Sequence, residues 1–309
     1  MKGADLLYLT VAILFPSCST YEIAERHLNK KYEKAGLVHK VETFGRFQVD
    51  YWEKTQDKPF MVLINGFGAS TKYQWAEQIE DLADDYSLVL PNLLYFGESK
   101  PVDGSDAGVE DQVEMITTFL KEKRIELAHV MGVSYGGLVA GEFARQHPEV
   151  ISKLILFDTP LKFFDTRYLD TVKAIYNVES HIDLFAPNSH KGLKDLLVLA
   201  YYKPPKVPAF ALKSPYREMY APRIEKLKKM LLELPEVAEK YNSYSYDIGK
   251  PTLLIWGAHD DVIPVSVGEQ LHEHIKGSEF HVIPKTKHMP NMERPKEFNA
   301  ILLGFLSEK

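Results

Sequence analysis

The segment Gly132-Val133-Ser134-Tyr135-Gly136 sets a serine between two glycines, and Gly137 extends it. A serine hydroxyl becomes a nucleophile at neutral pH only when a base takes its proton. The G-x-S-x-G pattern suits a serine on a tight turn from strand to helix, with its Oγ raised above a sheet. Ser134 is the candidate nucleophile. The candidate base is His288, in the loop Lys287-His288-Met289-Pro290-Asn291-Met292-Glu293-Arg294-Pro295. The other histidines have local explanations. His147 ends a helix before Pro148, while His129 and His281 fall at or within strands. His272 and His274 stand two apart near a helix end and face different sides, and no cysteine or carboxylate completes a ligand set there, so no metal is expected. Asp260, in Trp256-Gly257-Ala258-His259-Asp260-Asp261-Val262-Ile263-Pro264, is the candidate acid. It would hold the imidazole tautomer and stabilise the imidazolium. Asp261 is the second choice and Asp158 the third. Charge developing on a substrate oxygen needs donors already in place. The loop Asn65-Gly66-Phe67-Gly68-Ala69-Ser70 offers the Phe67 N–H, and the Ser134 turn offers the Tyr135 N–H, as the oxyanion pair.

These residues have to be carried by regular elements, and the pattern supplies them. Phe60-Met61-Val62-Leu63-Ile64 is a continuous apolar run, as in a strand buried on both faces. Leu88 to Leu90, His129 to Val133, Leu154 to Phe157, Thr252 to Trp256 and Phe280 to Ile283 read in the same way. Val41 to Phe44 and Phe47 to Trp52 form a hairpin about Gly45-Arg46. Helical patterns separate the strands: Trp75 to Ala83, Asp106 to Lys123 with Asp106 as N-cap, Gly137 to Gln146, and Pro295 to Leu306 with proline in its first turn. The alternation predicts an α/β fold, a mostly parallel central sheet covered by helices on both faces. One stretch breaks the rhythm. From 160 to 247 there are only helical segments, such as Leu193 to Tyr201 and Arg223 to Leu234, punctuated by prolines. It reads as a helical cap inserted between two strands, lying over the carboxyl ends where open α/β sheets bind ligands. Residues 38–159 and 248–309 then form the core.

Composition sets broad limits. The 309 residues are 45% hydrophobic and 26% charged, with a formal net charge of −6, so nothing suggests a nucleic-acid partner. No internal repeat or low-complexity tract is evident. The single cysteine, Cys18, excludes an intramolecular disulfide. It follows the apolar run Leu6 to Phe15, about ten residues, too short for a bilayer of ~30 Å but suited to a secretory leader. Residues 1–18 therefore read as a leader and 19–37 as a tether and first helix. The placement of Cys18 resembles the lipidation site of bacterial lipoproteins, which implies a membrane-associated protein of the bacterial cell envelope facing the periplasm or exterior.

Taken in order, these motifs resemble the α/β-hydrolase family over about Val41 to Leu306. The resemblance rests on the Asn65 loop, Pro91-Asn92-Leu93-Leu94-Tyr95-Phe96-Gly97-Glu98-Ser99, the Ser134 turn, the W-G-x-x-D segment and the H-x-x-x-x-E-x-P segment. That family's order of serine, acid, histidine is what places the acid at Asp260. Asn65 stands for the usual histidine of H-G-x-G, Asn92 for an aspartate and Tyr95 for a glycine. The cap stretch Tyr202-Lys203-Pro204-Pro205-Lys206-Val207-Pro208 is similar to that of bacterial lipid-anchored lipases and monoacylglycerol-lipase-like hydrolases. This likeness implies a serine esterase or lipase, with a small lipophilic ester as substrate and no cofactor. The cap residues Leu196, Leu197, Val198, Leu199, Phe210 and Leu212 are expected either to line an acyl pocket or to pack the cap on itself. The same triad could cleave an amide, a thioester or a carbon–carbon bond, and a binding module with a vestigial site is the alternative of another class.

Overall fold

The computed structural model describes residues 19–308, so Cys18 lies outside the described residues. Nine strands join in one sheet: β1 (Val38–Phe44), β2 (Phe47–Lys54), β3 (Phe60–Ile64), β4 (Ser87–Pro91), β5 (Lys100–Pro101), β6 (Ala128–Val133), β7 (Ile151–Phe157), β8 (Thr252–Gly257) and β9 (Glu279–Ile283). Their spatial order is β1-β2-β4-β3-β6-β7-β8-β9, with the short β5 against β2. The hairpin β1–β2 is antiparallel, and β2 runs antiparallel to β4 and β5. From β4 to β9 every neighbouring pair is parallel.

The longer helices are α1 (Thr20–Lys34), α2 (Val109–Glu122), α3 (Ser134–Gln146), α4 (Arg167–Tyr176), α5 (His181–Phe185), α6 (Gly192–Ala200), α7 (Ile224–Asn242), α8 (Val265–His274) and α9 (Pro295–Ser307). Strand residues alternate between the two faces of the sheet, and both faces are buried. Val62, Ile64, Val130, Leu154, Leu156 and Trp256 meet α2, α3 and α8. Met61, Leu63, Met131, Ile155, Phe157 and Leu253 meet Tyr32 of α1 and Phe298, Leu302 and Phe305 of α9. Each large side chain so buried contributes about 1.5–3 kcal/mol. Two edge-to-face contacts, Trp75–Phe157 at 5.8 Å and Phe157–Phe298 at 4.9 Å, join that second layer.

Several local expectations change. The stretch read as tether plus helix is helical from Thr20 onward, because Ser19 and Glu22 form a reciprocal capping box. Trp75 to Ala83 is not one helix; only the single turns Thr71–Gln74 and Ile79–Leu82 form, because Trp75 turns inward to the core. Asp106 does not cap α2. It pairs with Lys226 and Lys229 of α7, and Asp111 Oδ2 accepts from Gly108 N–H at the helix start instead. Between β7 and β8 the chain is helical or irregular throughout, and α4 to α7 lie over the strand ends. Lys240 and Tyr241 of α7 meet Glu110 of α2, which fastens this cap to the core.

One buried side chain gives the sheet a pH dependence. His129 on β6 is paired in register with Lys153 on β7. Burial and the Lys153 charge push its imidazole down to about 4. The unfolded chain takes up that proton near pH 6.5, so stability is lost as pH falls from about 6.5 towards 4. His129→Leu is expected to shrink the fall in Tm between pH 7 and pH 5; a fall as steep as that of the wild type would refute this origin.

Candidate active site

The residues singled out for chemistry gather at the carboxyl ends of adjacent parallel strands. Ser134 follows β6, Asp158 follows β7, Asp260 follows β8 and His288 follows β9. The Asn65 loop follows β3, the other neighbour of β6. Ser134 adopts φ 52°, a left-handed conformation that few side chains take up unless the surroundings impose it. What imposes it is the approach of α3 to the sheet. A Cβ at Gly136 would lie 2.1 Å from the Asn65 carbonyl oxygen, so no other residue fits beneath the first turn. Thr159 Oγ1 donates to the Ser134 carbonyl at 3.1 Å and braces the turn from β7.

His288 Nδ1 lies 2.7 Å from Asp260 Oδ2, and the imidazole is nearly buried. Asp260 Oδ1 accepts the N–H groups of Val262 and Ile263 at 2.8 and 3.1 Å. The carboxylate is thus fixed by a local turn and presents its second oxygen to the ring. Asp261, one residue on, goes elsewhere: it pairs with Lys287 Nζ at 2.6 Å and accepts from Tyr176 Oη of the cap at 3.1 Å. Glu293 Oε2 accepts from Lys287 N–H at 2.9 Å and holds the histidine loop. Among the described residues, Ser134 Oγ makes no hydrogen bond to the imidazole; in sites of this type that bond often tightens only with substrate bound. The two histidines near the end of α8 have local partners. His272 meets Ser278 Oγ, and His274 Nε2 accepts from the Tyr246 N–H.

The oxyanion candidates sit on two rigid segments. Tyr135 is in the first turn of α3, where backbone N–H groups lack an intrahelical acceptor. Among the described residues, neither its N–H nor that of Phe67 is taken by a hydrogen bond. The Phe67 ring packs edge-on against Phe96 and Tyr135 at 5.7 and 6.4 Å. Asn65, fully buried, stitches its loop: Nδ2 donates to the carbonyls of Gly66 and Ala69 at 3.0 and 2.9 Å, and Oδ1 accepts from Leu93 N–H at 3.0 Å. Asparagine is thus a structural part of the loop here.

An apolar cavity of about 60 Å³ opens on Ser134. Its floor is Phe67, Tyr135, Val262 and Ile263, and its roof is Phe164, Leu169 and Phe185 with Leu231, Leu234 and Ala238 of α7. None of the six cap residues expected as an acyl wall lines it. Leu199 and Leu212 are buried within the cap, whereas Val198 and Phe210 face outward, at 38% and 65% exposure. The real signal was the i, i+3, i+7 spacing of Leu231, Leu234 and Ala238 along α7.

Asp158 is the least expected member. It is fully buried, its Oδ1 accepts Gly257 N–H at 2.9 Å, and ligand-type atoms of Asp158, Asp260 and His288 lie within 4.8 Å of one another. Asp260 and His288 are already committed to each other and to backbone donors, while Asp158 Oδ2 has no hydrogen-bond partner among the described residues. Burial and the neighbouring Asp260 charge push the Asp158 carboxyl well above the usual range, so it keeps its proton above the pH at which a free carboxylate loses it. The folded state then holds a proton that the unfolded chain releases near pH 4, and stability falls as pH rises beyond that point. Asp158→Asn keeps an acceptor for the Gly257 N–H and has no proton to retain. Its Tm relative to wild type is expected to rise steadily from pH 4 to pH 8, with most activity kept; a gain independent of pH would contradict a protonated Asp158.

Known proteins resemble this chain. A Xenopus laevis protein named monoacylglycerol lipase abhd6-B is 25% identical over 281 residues, covering 88% of this chain and 83% of that protein. The 2-hydroxy-6-oxononadienedioate/2-hydroxy-6-oxononatrienedioate hydrolase of Paraburkholderia xenovorans is 26% identical over 274 residues, covering 85% and 92%. The crystal structure of a candidate lipase from Acinetobacter baumannii superposes with a TM-score of 0.79 at 25% identity, covering 91% of this chain and 95% of that one. The family model described as alpha/beta hydrolase fold matches residues 59–295, which span the Asn65 loop, the Ser134 turn, Asp260 and His288, and the chain belongs to that family.

Proposed function

We propose that the protein is a serine hydrolase of lipophilic carboxylic esters. The observation that carries this reading is the pairing of His288 with Asp260 at the strand ends beside a serine whose only adjoining cavity, among those described, is apolar. Ser134 Oγ attacks the ester carbonyl as His288 Nε2 takes its proton. The Phe67 and Tyr135 N–H groups receive the oxyanion; one such donor contributes on the order of 10²–10³ in kcat in related chemistry. The imidazolium returns the proton to the leaving alcohol, and water, activated by the same imidazole, releases the acid from the acyl-enzyme. Asp260 holds the ring through its hydrogen bond to Nδ1.

The cavity favours this class over its rivals. The relatives named as dienedioate hydrolases act on dianions, and a carboxylate buried without a cationic partner costs several kcal/mol. No lysine or arginine lines the cavity beside Ser134. A hydrocarbon acyl chain meets only carbon there. Hydrolysis of p-nitrophenyl esters from two to sixteen carbons, run beside Ser134→Ala, tests the reading. Medium or long chains should be turned over by the wild type, with kcat on the order of 10⁴-fold lower in the mutant. An inert wild type, or a mutant equally active, sinks it.

We also propose that Cys18 carries a lipid and holds the enzyme at a membrane of the bacterial cell envelope, facing the periplasm or exterior. Support comes from the apolar run before Cys18 in the sequence. No helix among the described residues is long and apolar enough to cross a bilayer, so attachment would fall to the segment before Ser19. Cells fed an alkyne-bearing fatty acid should label the wild type and leave Cys18→Ser unlabelled. Equal labelling of the two would end this part of the proposal.

A further inference from the structure

The Asn65 loop is held from two sides, and one of them belongs to the cap. Asn65 fixes the carbonyls of Gly66 and Ala69 from the core. Gly68 lies between them with φ +95°, a conformation open to glycine and strained for other residues. Its carbonyl accepts a 2.7 Å hydrogen bond from the hydroxyl of Tyr220, at the end of the cap turn Tyr216–Tyr220. Among the described residues this is the one hydrogen bond to that oxygen. The tyrosine is 4% exposed, and a Cβ on Gly68 would stand 2.8 Å from its hydroxyl, so the contact has no slack. Burial pushes the phenol well above its ordinary ionisation range, which keeps it a donor at any working pH.

The two ends of this contact are bolted to the same helix. Lys72, just past the loop, donates to Glu25 and Asn29 of α1 at 2.5 and 2.7 Å, and Tyr32 Oη donates to the Lys72 carbonyl at 3.0 Å. On the cap side, Thr20 Oγ1 donates to the Ala211 carbonyl at 2.6 Å, and Ser214 Oγ accepts from Tyr21 N–H at 3.1 Å. Helix α1 therefore spans from the base of the loop to the segment that leads into Tyr220. If Tyr220 moves away, the Gly68 carbonyl loses its hydrogen bond to the cap, and between Phe67 and Ala69 the loop is held by Asn65 alone, so Phe67 is less firmly placed.

We infer that Tyr220 is a positioning residue through which the seated cap sets the oxyanion loop, so that the Phe67 donor is ready only while the cap is closed on Gly68. The inference rests on the ester-hydrolase reading for its chemistry. A purely structural role would be carried by the ring, which Tyr220→Phe retains while removing the donor.

The test compares wild type with Tyr220→Phe in three measurements on the full-length protein. One is ester hydrolysis, one is the affinity of a long-chain trifluoromethyl ketone, and one is the affinity of a long-chain alcohol. The ketone adds to Ser134 and places an oxyanion in the hole, whereas the alcohol fills the cavity without one. Expected are a fall of about tenfold in kcat with KM changed less than about twofold, and a fall of about tenfold in ketone affinity with alcohol affinity unchanged, because small misplacements of a catalytic group cost up to about 10². Wild-type kcat and ketone affinity in the variant would overturn the inference, as would equal weakening of ketone and alcohol, which would make Tyr220 a wall of the cavity. A wild type inert towards esters would count against the ester reading alone, and the ratio of ketone to alcohol affinity would still decide the role of Tyr220.

Discussion

The first turn of α3 comes so close to the sheet that a side chain at Gly136 has nowhere to go, and much else follows from that contact. It forces Ser134 into a left-handed conformation and lifts its hydroxyl over the strand ends. It also presses α3 against the Asn65 loop, so the two backbone N–H groups offered to an oxyanion are set relative to each other by one packing contact. The strain at Ser134 costs on the order of 1–3 kcal/mol and persists because strands buried on both faces over-determine the position. Chemistry and core packing are here the same constraint seen from two sides.

The second constraint is electrostatic. Two carboxyl groups lie close to one imidazole, and burial, then the neighbouring Asp260, push the Asp158 carboxyl well above the usual range. Asp260 receives two N–H groups, as a turn offers an anion, while Asp158 receives one and is otherwise enclosed by the protein.

The core and the catalytic segments were legible because they depend on short-range order. Apolar runs bounded by turns give strands, and a serine between glycines at a strand end gives the elbow. Long-range pairing was not legible. Asp260 and Asp261 are chemically identical neighbours, and what separates them is that Lys287 and Tyr176 draw Asp261 towards the cap. Asp106 reads locally as a helix cap, yet two lysines more than a hundred residues away claim it. The apolar run Leu196–Leu199 reads equally as a pocket wall or as packing within the cap, and the fold gives the cavity wall to α7 and other cap residues instead. Tyr220 carried no signal at all, since its meaning lies in a carbonyl 152 residues away.

The capping of α1 at Ser19 and its grip on Ala211 fix the chain from Ser19 onward. Only Ser19 separates Cys18 from Thr20, and the two steps of extended backbone, at about 3.5 Å each, span at most roughly 7 Å. An acyl group on Cys18 would not hold the enzyme on a loose leash that lets it tumble above a bilayer. It would dock the molecule in one orientation, with the Ala211 side of the cap within a side chain's reach of the headgroups. Substrate would then be drawn from the plane of the membrane, with little need to cross water to reach the entrance.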